Sequence, residues 1–240
     1  MTWNVFGGGK ADLIGRVAAA LEVDIFVIIG CAPAKAGPLA KALALVGLPY
    51  SEAAPPSQGF STMIAAKEPI RRLPSVTGPN PGLWLAVESH NRELAIAGAY
   101  VPLSDKLHPT RKTVYWRWLL SELDLLLTRP TILLGDLNTG DQLLDRSGGT
   151  KFADAEAFAE LGHRGWRDAY TEANPGKQAF SWWSAVNGFR IDHAFLSPTA
   201  PTVWAATYVE EVQDLVLVNS KRAPGVQAIS DHAALVVDLE

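Results

Sequence analysis

The stretch "TILLGDLN", residues 131–138, carries four apolar or β-prone residues into Gly135 and then presents Asp136, Leu137 and Asn138. On extended backbone Asp136 and Asn138, two apart, point the same way. A carboxylate beside an amide can hold a water, a metal ion or a phosphate oxygen. Taken alone, the stretch reads more readily as a turn, since Asp, Asn and Gly are common turn formers.

The surrounding segments alternate in type. "TVYWRWLLSELDLLL" (113–127), "ADLIGRVAAALE" (11–22) and "DAEAFAELG" (154–162) space their apolar residues as helices do, the last ending at the helix-stopping Gly162. "DIFVIIG" (24–30) is a short continuous apolar run, as expected of a strand buried on both faces. "FSTMIAA" (60–66), "GLWLAVES" (82–89) and "ELAIAGAYV" (93–101) are strand-like runs in succession. "FRIDHAFLS" (189–197), "TVWAATYVEE" (202–211) and "HAALVVDL" (232–239) complete them. The Pro/Gly-rich pieces between are short and read as loops. Many strands with a few interspersed helices predict a layered α/β sandwich, two sheets packed together with helices outside.

Two further strand ends carry acids. In "FRIDHAFLS", regular alternation puts Phe189, Ile191, His193 and Phe195 on one face and Arg190, Asp192, Ala194 and Leu196 on the other. Asp192 and His193 therefore cannot meet, and a buried Asp192 needs a partner from elsewhere, for which a histidine is suited. His193 reads as a packed or half-exposed strand residue. In "ISDHAALVV" (229–237), Ser230, Asp231 and His232 precede the strand, so both Asp231 and His232 can reach a common pocket.

Bulk composition narrows the class. The 240 residues are 48% hydrophobic and 19% charged, a globular composition with length enough for a large core. No apolar run reaches the roughly 20 residues of a membrane span. The start "MTWNVFGGGK" lacks the basic-then-apolar order of a signal peptide, and a cytoplasmic protein is expected. Cys31 is the sole cysteine, which excludes an intrachain disulfide and a cysteine-built zinc site. The formal charge of −4 means that binding a polyanion needs a local basic patch. The run Gly7-Gly8-Gly9-Lys10 lacks the ending of a P-loop and reads as a turn.

With "GDLN", "RID" and "SDH" in that order, the chain resembles the endonuclease/exonuclease/phosphatase superfamily, which includes DNase I, exonuclease III and the apurinic/apyrimidinic endonucleases. The resemblance extends from "TWNV", with Asn4 at the first-strand asparagine, through "GAYVP", "LLGDLN" and "SWWS…GFRID" to "SDHAALV". Tyr100 favours the exonuclease III-like branch, since the DNase I and phosphatase branches usually show a histidine there. The resemblance implies one domain over residues 1–240 with the DNase I-like fold: a four-layer α/β sandwich of two packed, mostly antiparallel sheets flanked by helices. It implies a Mg²⁺- or Mn²⁺-dependent nuclease cleaving DNA phosphodiesters in line, on duplex DNA with abasic sites among the substrates. Asp136 would take the proton of, or orient, the attacking water; Asn138 and Tyr100 would reach the phosphate. Asp192 would orient His232, which would contact the scissile phosphate. Asp231 and Asn4 would lie at the metal.

One position departs from the family pattern. The second strand normally ends in Gln-Glu, the glutamate being the main metal ligand, and here Ile29 and Gly30 stand in those places. Phe6 stands where many relatives have Asn or Asp. Asp24, six residues from Gly30, lies about 20 Å away along a strand and cannot substitute. Weak metal binding with activity, a displaced metal, and a catalytically impaired member that binds nucleic acid or a partner all stay open. A phosphatase of small phosphoesters is a further alternative, disfavoured by Tyr100.

For substrate contacts, "SDKLHPTRKTVYWR" (104–117) offers Arg111 and Lys112, with Lys106, His108 and Arg117 beside them. "KEPIRR" (67–72) and "NSKR" (219–222) offer Lys67, Arg71, Arg72, Lys221 and Arg222. Such clusters track a DNA backbone or form an ordinary solvated surface. Trp182 and Trp183 can stack on a base or sugar, or be core. Arg190 is a candidate substrate contact, though beside Asp192 it reads more readily as the partner of an acid. No large apolar stripe is left over, so a monomer is expected.

Overall fold

The computed structural model describes residues 1–55, 59–91, 93–221 and 223–240. Arg222 lies outside the described residues. The chain opens with β1 (Thr2–Gly7), α1 (Ala11–Ala20), β2 (Ile25–Cys31) and α2 (Pro33–Leu45). Then come β3 (Tyr50–Ala53), β4 (Ser61–Ala66), β5 (Ile70–Arg72), β6 (Trp84–Ser89) and β7 (Ala95–Tyr100). α3 (Arg111–Leu126), β8 (Thr131–Asp136), α4 (Ala155–His163), β9 (Arg167–Asp168) and α5 (Ala169–Ala173) follow. The last part holds β10 (Trp182–Trp183), β11 (Gly188–Phe189), β12 (Asp192–Leu196), β13 (Val203–Val209), β14 (Glu211–Val212), β15 (Leu215–Val216) and β16 (Ala234–Leu239).

Two six-stranded sheets form, in the orders β13-β16-β1-β2-β4-β3 and β5-β6-β7-β8-β12-β9. Within them only β1–β2 and β7–β8 pair in parallel; the other pairs are antiparallel. The alternation of each strand builds the layers. Phe26 and Ile28 of β2 pack with Ile14, Val17, Leu39 and Leu43 of α1 and α2, while Val27 and Ile29 face the second sheet. Leu133 of β8 packs with Tyr115, Trp116 and Leu119 of α3, while Ile132 and Leu134 face the first sheet. Helix, sheet, sheet, helix is the DNase I-like four-layer sandwich that the resemblance implies. No helix among the described residues is long and apolar enough to cross a membrane.

Two local features differ from the expectation. α2 has no clear helical pattern in sequence, because Pro33, Gly37 and Pro38 interrupt it; Pro33 occupies the helix start, where its missing N–H costs nothing. The strand containing Asp192 breaks at Arg190–Ile191. Arg190 and His193 consequently both approach Asp168, whereas unbroken alternation puts them on opposite faces.

Candidate active site

The parallel pairing of β7 and β8 makes both strands end at one edge of their sheet, and antiparallel β12 begins there. Tyr100 stands opposite Asp136, and Asp136 opposite Asp192, so three polar residues form a row across the sheet. The first sheet is built the same way: β1 and β2 end at this edge, and antiparallel β16 begins after His232. Both sheets thus present strand ends to one pocket, lined by Asn4, Tyr100, Asp136, Asn138, Asp231 and His232 among others.

Hydrogen bonds fix these side chains. His232 Nδ1 lies 2.7 Å from Asp192 Oδ2, the partnership sought for the buried aspartate. Its other nitrogen, Nε2, stands 4.0 Å from Asp136 Oδ2 and 3.9 Å from Asp231 Oδ1. Asp136 accepts from Asn4 Nδ2 at 3.0 Å and from the Asn138 backbone N–H at 2.9 Å. Asn138 turns in the left-handed region (φ 48°), which Asn tolerates, and its side chain donates to Val101 O. Trp3 Nε1 donates to His232 O and Ser230 Oγ to Asn4 O, tying the loop before β16 to β1.

Burial sets the protonation of the cluster. Burial, and next the nearby Asp192 charge, push Asp136 up to about 7, against the pull of His232 and the Asn4 hydrogen bond. For His232 burial opposes the charge, but Asp192, by charge and hydrogen bond, with Asp136 and Asp231, raises it to about 9. Near neutral pH the cluster therefore holds an imidazolium beside a carboxylate poised to take up a proton. Burial, then Asp136, push the Tyr100 hydroxyl up to about 12, leaving it a neutral donor. Of the two expected placements for His193, packed or half-exposed, the structure has it packed in the core: burial lowers its pKa, and its ring packs 4.7 Å from Phe158.

A match to the family model "Endonuclease/Exonuclease/phosphatase family" spans residues 1–232. The chain belongs to this family. Among solved structures, a 3′ phosphatase, NExo, from Neisseria, bound to a product DNA hairpin, superposes with a TM-score of 0.78 at 17% identity, covering 100% of this chain and 98% of that one. An AP endonuclease from Archaeoglobus fulgidus gives 0.77 at 14% identity, covering 100% and 98%. An endonuclease/exonuclease/phosphatase from Beutenbergia cavernae gives 0.71 at 18%, covering 99% and 70%. At these identities the likeness is one of fold. No curated protein matches the chain.

Family members handle phosphoesters, and the donor set here suits a divalent cation. Asp136, Asp192 and His232 each offer a ligand atom, all within 4.8 Å of one another. Among the described residues, Asp192 Oδ1 is buried without a hydrogen-bond partner, and no Lys or Arg lines the pocket. A hard cation neutralises such carboxylates and satisfies the orphaned oxygen. The set differs from the one implied by resemblance. Asn4 Oδ1 accepts from the Phe6 N–H at 3.2 Å, and a Cβ at Gly30 would lie 2.3 Å from it. The space beside Gly30, where the resemblance implies a glutamate, is thus closed by Asn4 itself, at a glycine with φ +71° in a β-bulge. Asp231 lies at the rim, its side chain half exposed, where its Oδ2 accepts from Trp182 Nε1 at 3.3 Å. Neither Glu52 nor Glu68 lines the pocket; Glu52 pairs with Arg72.

The expected cationic contacts sit differently. Arg190 is 3% exposed and is held inside by Asp145 at 2.5 Å and Asp168 at 3.0 Å. Lys112 is buried and donates to Asn138 O and Ala153 O, supporting the turn that carries Asn138. Arg111 is half exposed beside Asp105 at the start of α3. Lys67, Arg71 and Arg72 pair with Asp24, Glu88 and Glu52. Trp182 lines the pocket; Trp183, next along the strand, lines a separate cleft. Sequence reasoning missed the aromatic wall: Phe6, Phe60, Phe152 and Phe189 also line the pocket. Phe6 alone carries a signal, a bulky residue inside a run that otherwise reads as a turn.

Proposed function

We propose that the protein is a divalent-metal-dependent hydrolase of DNA phosphoesters, of the exonuclease III and AP endonuclease type. The observation that carries this is the assembly of Asp136, Asp192 and His232 at one pocket from strand ends of both sheets. Asp136, oriented by Asn4 and the Asn138 N–H, accepts the proton of the attacking water. His232, held by Asp192, presents protonated Nε2 to a phosphoryl oxygen as charge develops there. Asn4 and the Asn138 N–H orient the Asp136 carboxylate, and Tyr100 offers a neutral hydroxyl to the phosphate. When bound, Mg²⁺ or Mn²⁺, held by Asp136 and Asp192 with Asp231 at the rim, supplies the positive charge that offsets the phosphate's.

The closed position at Gly30 favours a second reading, a fold that binds nucleic acid without turnover. Incubation with duplex DNA containing an abasic site, in Mg²⁺, Mn²⁺ or EDTA, separates the two. Metal-dependent cutting by the wild type, abolished in Asp136→Ala, supports the hydrolase. Tight binding without cutting, unchanged by Asp136→Ala, supports the binding protein.

A further inference from the structure

Asp192 opens β12 directly after the break at Arg190–Ile191, and side chains hold its main chain in place of a strand. Leu137 N donates to Ile191 O at 2.8 Å. Bonding alternates along an antiparallel pair, so Asp192, opposite Asp136, turns its own N–H and C=O away from β8. β9 lies on that outer side but pairs only at Phe195 and Leu196. At Asp192 the Ser181 hydroxyl accepts from the main-chain N–H at 3.1 Å, and the Tyr208 hydroxyl donates to the main-chain carbonyl at 2.5 Å. Among the described residues the carboxylate has His232 at Oδ2, and Oδ1 has no hydrogen-bond partner. The direction of the Asp192 side chain therefore rests heavily on how its main chain is fixed.

Tyr208 comes from the other sheet. On β13 it stands opposite Leu235, three residues after His232. Its ring packs between the sheets against Tyr170 of α5, with 5.1 Å between centroids, and Arg190 lies 5.1 Å over the Tyr170 ring. Burial holds the Tyr208 hydroxyl protonated well above the usual tyrosine range, so it stays a neutral donor. The first sheet thus grips Asp192 twice, at the carboxylate through His232 and at the carbonyl through Tyr208. We propose that Tyr208 is a positioning residue: its hydroxyl fixes the Asp192 main chain so that the carboxylate meets His232. Its effect on rate rests on the hydrolase reading. Tyr208 lines the cleft that holds Trp183 and not the pocket of the cluster, so it acts through Asp192 and does not touch substrate. Displacements of a fraction of an ångström in such a supporting contact are enough to slow a reaction.

The test uses Tyr208→Phe in the full chain, which keeps the ring against Tyr170 and removes the hydroxyl alone. Val209→Ala, the next residue along β13, is the structural control, since its side chain packs on the α1 and α2 side of the sheet. The first reading is cleavage of abasic-site duplex DNA in Mn²⁺. Tyr208→Phe should lower kcat by about 10–100-fold with KM unchanged, and should add nothing to the loss in Asp192→Asn. The second reading needs no turnover. In the metal-free protein the downfield proton signal of His232 Nδ1–H, identified by its absence in His232→Gln, should move or broaden in Tyr208→Phe and stay in place in Val209→Ala. A His232 signal unmoved in Tyr208→Phe, an equal change in Val209→Ala, or a rate loss that multiplies with that of Asp192→Asn overturns the proposal. No cleavage by the wild type, with the signal displaced in Tyr208→Phe alone, overturns the hydrolase reading and supports the grip on Asp192. Cleavage by the wild type with an unmoved signal overturns the positioning role alone.

Discussion

At Gly30 a side chain would begin 2.3 Å from Asn4 Oδ1 on left-handed backbone. Asn4 in turn holds Asp136. Gly30→Glu is therefore expected to displace Asn4 and cost on the order of 1–3 kcal/mol in urea unfolding, with activity lowered; a stable, more active variant would refute the closed site. Protonation gives a second expectation, with the cation removed. Asp136, raised from 3.8 to about 7, favours the fold when neutral, and that contribution is lost as pH rises through 7. His232, raised from 6.5 to about 9, favours the fold when charged, and its contribution, full below 6.5, is lost as pH rises through 9. Both have the same sign, so Tm of the metal-free protein should fall between pH 5 and 9. Added Mn²⁺ should flatten the fall at its upper end; a Tm that rises over this range contradicts the cluster. Asp136, Asp192 and His232 were legible through the ordered motifs GDLN, RID and SDH, each of which alone reads more readily as a turn or strand end. Asn4 blocking Gly30 was not, because it depends on where two strands bulge against each other.

At the level of elements, the Arg190 network does the positioning. Arg190 pairs with Asp145 and Asp168, Asp168 caps α5 by accepting from Thr171 N, and β12 starts two residues after Arg190. Removing one partner of a buried pair leaves an uncompensated charge. Arg190→Leu should thus destabilise the fold by about 3–5 kcal/mol in denaturant unfolding; unchanged stability with a raised KM would return Arg190 to a substrate role. Arg190 was readable as the partner of an acid, but alternation did not point to Asp168, because the strand breaks at Arg190–Ile191 and a break reverses which residues share a face. α2 was equally hidden, its prolines and Gly37 imitating a loop. The long apolar runs, β2 and β8 among them, were readable because strands buried on both faces have no polar side to obscure them.

Across the whole molecule, each sheet places a parallel pair so that both strands end at the pocket and an antiparallel neighbour begins there. That topology brings Asn4, Asp136, Asp192 and His232 together from strands far apart in sequence. The order of motifs along the chain foretold this convergence through family resemblance; the aromatic wall, assembled from five separate segments, left no pattern to read. The measurement that bears most directly on the hydrolase is single-turnover DNA cleavage in Mn²⁺ by the wild type, Asp192→Asn, His232→Gln and the double variant. If Asp192 acts through His232, each single change should slow cleavage by about 10²–10⁴-fold, and the double variant should be no slower than the slower single. Near-normal rates in either single variant, or losses that multiply in the double, would contradict the account.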